Sequence, residues 1–161
     1  MDISVSRVLL WLFVVALSIQ VGAGIYETRV IVPLWSSAPP ESVVAYNLQA
    51  LRPDSGTRFW IFATPLVGLL GLANLFAAWR SNAGVRAWWL FAAAAVVVVV
   101  AVTFIYFVPE LLAFAAGREV AGASIESRVR LWVALNWVRV VVLVAAWLSL
   151  LRAFSGGALG E

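Results

Sequence analysis

Four stretches of this chain, at about residues 8–26, 59–79, 88–108 and 131–151, are apolar runs long enough to cross a bilayer, whose hydrocarbon core requires about 20 such residues per helix. Lipid offers no partner to an exposed backbone amide or carbonyl, so such a run must close on itself as a helix or pair within a closed barrel. Barrel strands alternate apolar and polar residues over segments of about ten. The run AAAAVVVVVAV at 92–102 does not alternate. The reading is an all-α fold: an integral membrane four-helix bundle in a single domain. With 64% hydrophobic and only 12% charged residues, the chain has too little polar surface to face water.

The first run follows Arg7 and contains VGA at 21–23, which gives it the look of a secretory signal. It is longer than the usual signal core and is read as an uncleaved first span. Between the first two runs, PPESVVAYNLQALRP at 39–53 spaces Val43, Val44, Leu48 and Leu51 at helical intervals, predicting a short interfacial helix over about 41–51. PDSG at 53–56 is a turn signal. In the second span, Pro65 predicts a local helix distortion, and Gly68 and Gly71 predict close approach of a neighbour.

Absences narrow the chemistry. The sequence has no Cys, no His and no Lys, which removes disulfides, thiol redox relays, the common zinc and haem ligands and any Schiff base. Two carboxylates alone are a poor hard-cation site. No metal and no cofactor are expected. The net charge is only +3 and forms no basic cluster, so nucleic acid is not an expected partner. The expected partners are membrane lipid, a lipophilic small molecule and either further copies of the chain or a larger membrane complex. Arg80 and Arg86 sit close together in a tight turn, which places both termini on the cytoplasmic side, here of a bacterial inner membrane. Most Trp residues are read as interface anchors, Trp35 and Trp60 near one boundary and Trp11, Trp79, Trp88, Trp89 and Trp147 near the other.

Polar residues inside the spans carry the functional signal. Trp132, Asn136 and Arg139 stand at i, i+4 and i+7 on one face of the fourth span. Counted from Arg152 at 1.5 Å per residue, Arg139 lies about 20 Å along the helix. An arginine there is expected to face the bundle interior, a carboxylate or a watery cavity. Tyr106 and Glu110 end the third span on the same side, and Tyr26 and Glu27 end the first, with Arg29 just beyond. All of these residues fall in one half of the membrane and suggest a polar pocket opening outward. The alternative is structural: Arg139 paired with Glu27 or Glu110 to fix helix register in an accessory or scaffold subunit.

GAGIYETRVIVPLW (22–35) after the first span and RLWVALNWVR (130–139) opening the fourth resemble the pattern of the anthrone oxygenase-like family of small four-helix membrane proteins. The resemblance implies cofactor-independent oxygenation of polycyclic anthrones. Together with the depth reading, which supplies Tyr106 and Glu110, it makes Tyr26, Arg29, Tyr106, Trp132 and Asn136 candidate ligand-binding residues and Glu27, Glu110 and Arg139 candidate catalytic residues. Glu27 or Glu110 would serve as general base, with Arg139 and Asn136 stabilising the enolate.

Overall fold

The computed structural model describes residues 3–50, 57–81, 83–116 and 124–158. The expected turn at 53–56, and Leu51 at the end of the interfacial helix, lie outside the described residues. Among the described residues, four helical stretches are long and apolar enough to span a membrane: Val5–Ser36, Arg58–Trp79, Gly84–Phe114 and Ile125–Gly156. Their outward faces carry exposed Leu, Val, Ile and Phe side chains along most of their length, a surface that lipid solvates and water does not. The protein is an integral membrane helical bundle.

The first span does not end at Tyr26. Helix α1 (Ile3–Tyr26) continues through a π turn (Glu27–Ile31) into α2 (Val32–Ser36). Helix α3 (Glu41–Ala50) follows, then α4 (Thr57–Trp79) and α5 (Ala83–Val102). A second π turn (Thr103–Phe107) leads from α5 into α6 (Val108–Ala115), and α7 (Ile125–Ala158) is the last described helix. Both π turns precede a Val-Pro pair. Pro33 and Pro109 lack an N–H, and their rings would press on the carbonyl four residues back. The residue just before each proline instead bonds five residues back, Val32 N–H to Glu27 O and Val108 N–H to Thr103 O. Such single π turns recur at functional sites.

Around the bundle, α1 packs on α4 and α7, and α5 packs on the same two helices, so α1 and α5 face each other across the axis. Gly68 and Gly71 of α4 meet α5 closely: a Cβ on Gly68 would stand 3.0 Å from Val100 Cγ1, and one on Gly71 would stand 3.3 Å from Val97 Cγ2. Asn74, fully buried, donates to Leu9 O at 3.2 Å and accepts from Trp89 Nε1 at 3.0 Å. Trp147 Nε1 donates to Ser18 Oγ at 2.8 Å. Trp89 and Trp147 therefore join helices to one another, and Trp35 is buried; Trp11, Trp79 and Trp88 remain exposed, as interface anchors require.

Two apolar cores result. The larger joins α1, α4, α5 and α7 through Phe13, Leu17, Val67, Val96, Ala146 and Leu150. The smaller joins Val32, Trp35, Val43, Phe107, Phe114, Val129 and Trp132 at the other end. Spans of 32, 31 and 32 residues exceed the 22-residue α4 span by about ten, or about 15 Å at 1.5 Å per residue. This excess builds the smaller core, over which α3 folds back. Ser42 Oγ fastens α3 by donating to Trp35 O at 2.7 Å and accepting from Ala38 N–H at 3.1 Å.

Candidate functional site

The polar side chains gather between the two cores, at the level of the π turns. Thr28 of the first π turn is buried and donates its hydroxyl proton to Gly24 O at 2.7 Å. That bond leaves Thr28 Oγ1 free only to accept, which it does from Asn136 Nδ2 at 2.9 Å. A flipped Asn136 amide would set two acceptors against each other, so its orientation follows from the hydrogen bonds. Asn136 is fully buried, and its Oδ1 has no donor among the described residues. An unmet acceptor at this depth is costly, because no lipid group can satisfy it.

One turn along α7, Arg139 Nη2 reaches Glu27 Oε2 at 3.5 Å. The guanidinium also lies over the Phe107 ring, 4.6 Å from its centroid, a placement favoured by the ring quadrupole. The side chains of Arg139 and Glu27 keep 14% and 22% of their surface exposed, so the pair is not sealed.

The two expected carboxylates do not share this site. Glu110 instead pairs with Arg128 through Nη2 at 2.9 Å and Nε at 3.2 Å, and the Arg128 guanidinium rests over Phe114 at 5.1 Å. Trp132 is buried and donates Nε1–H to Phe107 O at 3.2 Å, tying α7 to the second π turn. Its ring meets Trp35 and Phe107 edge-on at 5.1 and 5.3 Å. Tyr106 packs half-buried on the same cluster. Tyr26 is 59% exposed and faces outward, and exposed Arg29 lies over Trp137 on the outside of α7, 5.8 Å from its ring centroid. The structure thus unites Glu27, Asn136 and Arg139. It leaves Trp132 and Tyr106 beside them in the smaller core, Glu110 in a separate pair, and Tyr26 and Arg29 outside.

Four residues absent from the sequence reading belong to this layer. Gly24 is buried, yet a Cβ built on it would meet no atom of another element within 4 Å. Open space therefore lies against α1 inside the bundle. Gln20 stands one turn below, 7% exposed, with Oε1 lacking a donor. Gln20, Gly24 and Glu27 fall at i, i+4 and i+7, so one inward stripe of α1 carries all three. That spacing was the available signal. Thr28 is the third, and the fourth is Tyr46 of α3, which packs on the smaller core. Burial, with the Glu27 charge second, pushes the Tyr46 phenol up and keeps it neutral. A separate recess of about 390 Å³ on α3, lined by Pro40, Glu41, Val44 and Ala45, shares none of these residues.

Residues 57–149, more than half of the chain, match the family model described as anthrone oxygenase. The match takes in α4, α5, Asn136 and Arg139, and stops short of Glu27. No curated protein and no solved structure matches the chain.

Proposed function

Because this chain belongs to the anthrone oxygenase family, we propose that the layer between its two cores binds a lipophilic hydroxylated aromatic molecule and oxygenates it without a cofactor. The observation that carries this reading is the open space at Gly24, in the same layer as the unsealed Glu27–Arg139 pair and the donorless Asn136 Oδ1. A register-fixing ion pair would account for Glu27 and Arg139. It would not account for the space or for a buried acceptor held in place with nothing to accept.

Each group has a chemical part to play. Glu27 takes the proton from the acidic methylene carbon of a bound anthrone. The carbanion delocalises onto the ring carbonyl oxygen, where the Arg139 charge stabilises it. Asn136 has its Nδ2 engaged by Thr28 and presents Oδ1, so it orients a ligand hydroxyl and leaves the enolate to Arg139. The anion gives two electrons to dioxygen and forms a C–O bond. Protonation by Glu27 yields the hydroperoxide, which loses water to leave a second ring carbonyl. The sum is anthrone plus dioxygen to anthraquinone plus water. In the membrane, the same reading places both termini on the cytoplasmic side of a bacterial inner membrane, with the site in the outer half and open to ligands dissolved in lipid.

The test is oxygenation of 1,8-dihydroxyanthrone by the protein in lipid nanodiscs, followed by quinone absorbance under air and under argon. The expected result is oxygen-dependent quinone formation well above autoxidation in empty nanodiscs, abolished by Glu27→Gln. Rates equal to empty nanodiscs would overturn the proposal.

A further inference from the structure

From the position of Gln20, we infer that it forms the floor of this site and selects ligands bearing a second hydrogen-bond donor, remote from the one that meets Asn136. The inference rests on the binding reading above and extends it to substrate class. On α1 the stripe that carries Glu27 and Gly24 continues inward through Gln20 to Leu17 and Phe13, both fully buried in the larger core. Gln20 is therefore the innermost polar group on that stripe.

Gln20 and Glu27 are seven residues apart, or about 10 Å along the helix axis, with the open face of Gly24 between them. The two donorless acceptors, Gln20 Oε1 and Asn136 Oδ1, are contributed by adjacent, packed helices, α1 and α7. A buried amide oxygen without a donor discriminates sharply, because a ligand lacking the matching group leaves it unpaired. The chemistry that satisfies both acceptors is a fused-ring aromatic with hydroxyl groups on separate edges; an unsubstituted ring system satisfies neither.

The test compares 2,6-dihydroxyanthrone, whose hydroxyls lie at opposite ends of the ring system, with unsubstituted anthrone, measuring equilibrium binding to wild-type protein and to Gln20→Met in nanodiscs under argon. Methionine keeps the length of the side chain and removes the acceptor. The wild type is expected to prefer the dihydroxy compound, and Gln20→Met to lose about tenfold of that preference, the effect of one unmatched buried hydrogen bond, while its affinity for unsubstituted anthrone stays unchanged. If both compounds bind and Gln20→Met keeps the full preference, the role of Gln20 is refuted and the binding reading survives. If neither compound binds the wild type, both fall together. Retention of the Gln20→Met thermal midpoint identifies a loss of preference as an effect at the site; a collapsed midpoint together with lost binding of both compounds counts against a selective role.

Discussion

Arg139 holds Glu27 by a single 3.5 Å contact, whereas Arg128 grips Glu110 through two nitrogens at 2.9 and 3.2 Å. Two arginine–carboxylate pairs in one small bundle thus differ in kind. The looser one lies about one turn from Gly24, and both of its side chains keep some exposed surface.

Breaking the looser pair is expected to destabilise the bundle. Arg139→Leu leaves a carboxylate without its counter-charge, and should cost about 3 kcal/mol, the lower end for a buried pair because both side chains retain some exposure. Reversible unfolding in mixed detergent micelles measures it. Glu27→Gln together with Arg139→Leu should recover most of the loss, and a double variant as unstable as the sum of the singles would contradict the pairing.

Gly24 and Gly68 should respond oppositely to alanine. Gly24→Ala adds a methyl into open space and removes the backbone cost of a helical glycine, so it should raise stability by about 0.5–1 kcal/mol. Gly68→Ala sets a methyl 3.0 Å from Val100 Cγ1 and should gain nothing. Thermal midpoints of the two variants, measured side by side, check the expectation.

Trp132→Phe removes the hydrogen bond that holds Phe107 O on the second π turn while preserving most of the ring packing. The expected loss is about 1 kcal/mol, that of one hydrogen bond. Amide hydrogen exchange should show the increase concentrated over residues 103–108; uniform exchange along α5 would count against the anchoring role.

The architecture was legible in the sequence because four apolar runs permit almost no other fold in lipid. The extent of the helices was not. GAGIYETRVIVPLW reads as a boundary because Glu27, Arg29 and Pro33 usually end a span, and only the π turn keeps those residues helical. Depth placed Asn136 and Arg139 in the site because charge and amide are rare inside membrane helices. Depth could not give rotation, so Tyr26 and Arg29, next to Glu27 in sequence, turn outward. Glu110 was drawn toward Arg139 because its nearer partner, Arg128, lies on the first turn of α7, upstream of the expected fourth span. Gln20 was legible by spacing from Glu27 and was missed because a lone glutamine in an apolar run carries little signal.

Asn136→Leu separates fold from site. It removes one neutral interhelical bond, worth about 1 kcal/mol in a membrane, and also the donorless acceptor. Stability should change little, while binding of 1,8-dihydroxyanthrone should weaken about tenfold. Equal affinity in the two proteins would mean that Oδ1 never meets the ligand.

If the space against Gly24 is a ligand site, filling it must displace the ligand. Wild-type and Gly24→Leu proteins, each extracted gently and incubated with 1,8-dihydroxyanthrone under argon, can be compared by native mass spectrometry. The wild type should carry one equivalent of the added mass, and Gly24→Leu, at an unchanged thermal midpoint, should carry none. Equal occupancy in both proteins would show that the ligand, if bound, sits elsewhere and that the layer between the cores is not its site.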